Sequence, residues 1–134
     1  MSDGRASLGR AAEDRALAHL EAAGLRLVTR NWKAPPHAGK GGHGGELDLI
    51  MTDGDVLVFV EVRMTSARPG AAGFGGGAAY SVGHDKQRRL ASLAQRYLGT
   101  LRARPRTSRF DVVALGRDAA GTWQLRWYKN AFWV

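Results

Sequence analysis

Leu8, Ala12, Ala16 and Leu20, with Leu17 beside them, recur at helical spacing. They predict a helix from Arg5 to Ala23, with Gly24 as its C-terminal cap. Leu25 to Trp32 then suits a strand. Two apolar, β-branched-rich runs follow in Gly45 to Arg63, flanking Asp53-Gly54. That dipeptide tolerates positive φ and predicts a two-residue hairpin turn. With Asp53 and Gly54 in the turn, Thr52 faces Asp55, Ile50 faces Leu57, Asp48 faces Phe59 and Glu46 faces Glu61. A second amphipathic run, Asp85 to about Leu98, predicts a helix capped by Asp85, with Leu90, Leu93, Ala94 and Tyr97 inward. Phe110 to Leu115 and Trp123 to Tyr128 read as two more short strands. The order helix, strand, hairpin, helix, strand, strand predicts an α/β domain, a mixed sheet covered by helices.

Sorting the hairpin by face exposes its chemistry. Side chains alternate with period two along a strand. Leu47, Leu49, Met51, Val56, Val58, Val60 and Val62 make an unbroken apolar surface, the expected core side. The opposite side carries Ile50, Leu57 and Phe59 near the turn. Away from the turn it carries Glu46, Asp48, Glu61 and Arg63. Like charges facing each other destabilise a sheet. Three carboxylates at one end of one face therefore ask for a counter-charge, and a hard divalent cation bound by oxygen ligands is one answer. The other answer is that the glutamates splay into water and Arg63 pairs with one of them. Glu13 precedes Leu17 by four and Leu20 by seven, at the margin of the first helix's apolar face, from which it can point at the sheet or into water.

The chain has 134 residues and is read as one domain, 1–134, long enough for a hydrophobic core. No apolar run reaches the length of a membrane span, the N-terminus lacks a signal-peptide core, and there is no cysteine. A cytoplasmic protein without membrane contact is the default expectation. Net charge is +8. It is concentrated in Lys86, Arg88, Arg89, Arg96, Arg102, Arg104, Arg106 and Arg109, a stretch with no acidic residue after Lys86, while the rest of the chain nearly balances. Nucleic acid is the expected partner of such a run. Residues 33–45 and 64–84 are Gly-rich and are expected to be mobile loops. Gly39-Lys40-Gly41 lacks the spacing of a phosphate-binding P-loop, and Gly73 to Ala78 does not join a strand to a helix as a dinucleotide fingerprint does. His37 and His43 lie in the first of these loops. Trp123, Leu125 and Trp127 alternate with Gln124, Arg126 and Tyr128, suiting an edge strand or a dimer contact.

Arg30-Asn31-Trp32, Gly45 to Ile50, Val58 to Arg63, Arg109 to Val113 and Asn130-Ala131-Phe132 occur in an order that resembles the YraN-type family of small bacterial proteins. The resemblance covers nearly the whole chain. It implies a restriction-endonuclease-like fold, related to Holliday junction resolvases of the PD-(D/E)XK nuclease superfamily. Carried over residue by residue, it implies an active site of Asp48, Glu61, Arg63 and Glu13. Asp48, Glu61 and Glu13 would hold Mg²⁺ or Mn²⁺, and Glu46 would support them. Arg63 stands where the superfamily usually has Lys. Arg keeps the charge in a different shape and stays protonated.

The expected function is thus metal-dependent phosphodiester hydrolysis in DNA, branched or damaged, with Lys86, Arg88, Arg89, Arg96, Arg102, Arg104 and Arg106 on the backbone. The same charge suits RNA, and a homodimer would suit a resolvase-like role. The alternatives are a non-catalytic nucleic-acid-binding protein on a nuclease fold and a protein-interaction adaptor using the C-terminal aromatic strand.

Overall fold

The computed structural model describes residues 4–35, 45–64, 82–105 and 107–132. Their order is α1 (Gly4–Ala22), β1 (Arg26–Lys33), β2 (Glu46–Asp53), β3 (Val56–Met64), α2 (His84–Leu98), β4 (Thr107–Arg117) and β5 (Trp123–Phe132). The strands form one mixed sheet in sequence order, β1 to β5. β3 and β4 are parallel and the other neighbours antiparallel. A parallel step needs a crossover, which is where α2 lies in the chain. This is the helix-flanked α/β sheet expected, consistent with a restriction-endonuclease-like fold.

Each helix covers one face. Ala12, Ala16 and Leu20 of α1 are buried on Leu49, Met51, Val58, Val60, Val113 and Leu115. The side chain of Leu8 lies outside the described residues. Leu90, Leu93, Ala94 and Tyr97 of α2 are buried on Ile50, Leu57, Phe59, Phe110 and Val112. Phe59 anchors this second layer, stacked on Phe110 at 5.2 Å and edge-on to Tyr97 at 6.1 Å. A phenylalanine so enclosed costs about 3–5 kcal/mol when cut to alanine.

Three local expectations change. The ladder pairs Asp53 with Val56 and Ile50 with Phe59, so Gly54 and Asp55 make the turn in place of Asp53 and Gly54. Gly54, at φ 59, takes the positive-φ position. Each partner moves by two residues, an even step, so this shift by itself turns no side chain to the other face. Leu47 leaves the apolar surface predicted for it: it joins the α2 layer, while Leu49 lies in the α1 layer. Finally, α2 starts one residue before Asp85, with Gly83 at the N-cap and no side-chain cap bond. Most of the two Gly-rich segments, with His37 and His43, lies outside the described residues.

Candidate active site

The break between Leu47 and Leu49 falls at Asp48, and its origin is in the neighbouring strand. β1 pairs Arg30 with Leu49 and Trp32 with Leu47, which sets Asn31 opposite Asp48. Asn31 has φ 53. Asparagine enters this left-handed region more readily than most residues. The kink coincides with the change of face in β2, and Asp48 sits at the junction.

Four carboxylates meet there. Oxygens of Glu13 from α1 and of Glu46 and Asp48 from β2 all lie within 4.8 Å of one another. Oxygens that share one Mg²⁺ at about 2.1 Å are at most ~4.2 Å apart, so small rotations of half-buried side chains would close the set. Asp48 Oδ2 accepts a hydrogen bond from the Val62 N–H at 2.9 Å. Burial pushes the Asp48 carboxyl up to about 9, helped by a hydrogen bond with Glu61 and by that group's charge, against the pull of the Val62 amide. Glu61 itself is 7% exposed. Lys86 Nζ, from the first turn of α2, stands 2.7 Å from its Oε2. The pair is formed by charge and distance, but its angles are not those of a hydrogen bond. Among the described residues Glu61 Oε2 has no hydrogen-bond donor. A buried carboxylate oxygen without a donor and a neighbouring carboxyl driven to hold a proton both fit a site suited to a divalent cation.

Asn31 holds two of the four groups. Its Nδ2 donates to Glu13 Oε1 at 3.0 Å and to Glu46 Oε1 at 3.2 Å. Arg30 also reaches Glu13, at 3.4 Å, and pairs with Asp14 at 2.9 Å. Neither residue stands out by charge pattern. The signal for Asn31 was its place in Arg30-Asn31-Trp32, since asparagine in a strand is a candidate for a kink.

Glu13 is therefore aimed at the sheet, with only 15% of its side chain exposed. Glu46, expected in a supporting place, is among the three groups nearest one another, whereas Glu61 adjoins them through Asp48. Arg63 follows Glu61 on β3 and is half-buried.

The basic set divides. Lys86 belongs to the acidic pocket by its ion pair. Arg88, Arg89, Arg102 and Arg104 are exposed on α2 and just beyond it. Arg88 pairs with Asp85, Arg104 donates to Gln95, and Arg96 donates to the Pro35 carbonyl at 2.6 Å. Arg106 lies outside the described residues. Arg109 serves another purpose: it binds Asp111 at 3.0 Å and Asp53 at 3.1 Å.

The family model described as uncharacterised protein family UPF0102 matches residues 12–115, which span α1 to β4 and every carboxylate of the site. The chain belongs to the UPF0102 family. It is the family to which the YraN-type signatures pointed. A UPF0102 protein of Pseudomonas entomophila is 48% identical over 129 residues, covering 92% of this chain and 91% of its own length. One from Verminephrobacter eiseniae is 49% identical over 125 residues, covering 92% and 76%. One from Pseudomonas putida is 47% identical over 130 residues, covering 94% and 93%. These names carry no activity. The functional reading therefore rests on the pocket.

Among the described residues no helix is long and apolar enough to cross a membrane.

Proposed function

We propose that this UPF0102 protein is a divalent-cation-dependent endonuclease that hydrolyses phosphodiester bonds in DNA. The observation that carries this is the meeting of Glu13, Glu46, Asp48 and Glu61 from one helix and two strands, with a buried Glu61 oxygen that has no hydrogen-bond donor among the described residues.

Glu13, Glu46 and Asp48 are the groups that would hold Mg²⁺ or Mn²⁺, with Glu61 completing the set from the α2 side. The chemistry such an ion supplies when bound is neutralisation of phosphate charge and a lower pKa for water. The chain's own residues do the rest. Asn31 keeps Glu13 and Glu46 convergent, and the Val62 amide orients Asp48. Arg63, a permanent cation on the strand that carries Glu61, would stabilise charge on the phosphate. The exposed arginines of α2 and the segment after it suit the sugar-phosphate backbone, which positions a substrate without reading its sequence.

Cleavage of linear and branched DNA across Mg²⁺ and Mn²⁺ tests the reading. Wild-type protein is expected to cut, and Asp48→Ala to lose activity by on the order of 10³-fold or more while still binding DNA. Salt-sensitive DNA binding that ignores divalent ions, without cleavage by the wild type, would instead establish a non-catalytic binding module. No DNA binding at moderate salt would leave the adaptor.

A further inference from the structure

We infer that Lys86 is a resident counter-ion, an ammonium that occupies the cation's place beside Glu61 until a divalent ion displaces it. The inference rests on the metal-dependent reading above.

The geometry is asymmetric. Glu61 is 7% exposed and cannot move far, being held in β3 between β2 and β4. Lys86 has 48% of its side chain exposed and sits in the first turn of a helix, on a flexible stem. Its Nζ reaches inward to 2.7 Å from Glu61 Oε2 without an aligned hydrogen bond. A contact made by charge, with one half-exposed partner on a long side chain, is easily exchanged for a denser charge. A compact ammonium on a long chain is better suited to this than a guanidinium, whose planar fork favours fixed, paired bonds. The positions of the other cations agree. Arg30 is engaged by Asp14 and Glu13 at the far side of the cluster, and Arg88, two residues from Lys86, pairs with Asp85 away from it. Lys86 is thus the cation that α2 contributes to the pocket.

A placeholder has a consequence that a purely structural ion pair lacks: it competes with the metal. Removing its charge leaves the carboxylates more negative, so a divalent cation binds more tightly. A lysine that merely stabilises the fold would give equal or weaker metal binding on removal.

Calorimetric titration of the full chain with Mn²⁺ separates the cases. Lys86→Gln is expected to bind Mn²⁺ about tenfold more tightly than wild type. Lys86→Arg, which keeps the charge, should stay within about threefold of wild type, and Arg88→Gln within about twofold. A thermal melt of each variant confirms that it is folded before titration. Unchanged or weaker Mn²⁺ binding by a folded Lys86→Gln, with wild type binding normally, overturns the placeholder alone. Failure of the wild type to bind Mn²⁺ overturns the metal-dependent reading and the placeholder together.

Discussion

Two aspartates in this sheet, Asp111 buried and Asp48 half-buried, lie beside kinked outer strands, and they are treated in opposite ways. Asp111 in β4 is fully buried. Its carboxylate accepts from Arg109 Nε at 3.0 Å, from Trp127 Nε1 at 2.9 Å and from the Asn130 amide at 3.1 Å. Asn130 has φ 50, and the β4–β5 register slips just there, between Phe110 and Val112. Asp48 in β2 faces Asn31, the other asparagine at positive φ, at φ 53. Yet Asn31 donates to Glu13 and Glu46, and its neighbourhood gathers more carboxylates rather than donors. One kink brings an amide to a buried charge. The other brings charges together. A buried carboxylate supplied with cation and donors is a structural tie. The half-buried Asp48, beside other carboxylates and with its carboxyl pushed up to about 9, is no such tie.

Removing Asp111 should produce the largest effect on stability. Asp111→Ala leaves Arg109 partly buried with only Asp53, and should cost about 3–5 kcal/mol in denaturant unfolding. A loss under about 1 kcal/mol would mean the two aspartates are not the opposites described.

The corresponding change at Asp48 should have the opposite sign. The folded-state carboxyl lies above its unfolded value, so the folded protein binds the extra proton. Its contribution to stability is whole in acid, below the unfolded value. It is lost as pH rises from about 4 toward 9, at up to ~1.4 kcal/mol per pH unit. Without metal at pH 8, Asp48→Asn should therefore be more stable than wild type, by about 1–3 kcal/mol. Adding Mn²⁺ should stabilise the wild type, by ~2.7 kcal/mol at a hundred times the dissociation constant, with EDTA reversing it. The Asn variant should gain little. Melting temperatures at pH 5 and 8, with and without Mn²⁺, check both signs.

The smallest expected effect is at the kink itself. Asn31→Gly keeps access to positive φ but loses the amide that joins Glu13 to Glu46. Stability should fall by only about 1 kcal/mol, while Mn²⁺ affinity drops about tenfold, as for other groups that orient ligands. A larger stability loss with unchanged Mn²⁺ affinity would make Asn31 a backbone device and nothing more.

Much of this is legible in the sequence, and the reasons are local. Period-two alternation from Leu49 through β3 survives a turn misplaced by one residue, because the ladder then shifts by two; Leu47 changes face at the Asp48 break instead. The gathering of Glu46, Asp48 and Glu61 at one end of the hairpin was read that way, although the opposed pairs were wrong. Whether Glu13 points at the sheet or into water is open in the sequence, since a residue at the margin of an apolar face can turn either way. Asn31's amide bridge and Lys86's ion pair could not be read. Each depends on a contact between segments far apart in the chain: Lys86 lies four residues before Leu90, on the inner side of the first turn, but that spacing names no partner, so charge alone groups it with the cations expected on nucleic acid.

By itself the chain determined its element order, its apolar faces, the excess of positive charge after Lys86 and the signatures that place it in UPF0102. These follow from periodicity and composition, which are properties of neighbours along a backbone. Only the folded sheet decided that Asp48 lies at a break between its two faces, that Glu13 and Glu46 share one amide, and that the inner lysine of the basic run meets a buried glutamate. Those arrangements come from packing distant elements against a kinked strand, where burial makes each unbalanced charge costly enough to select its partner.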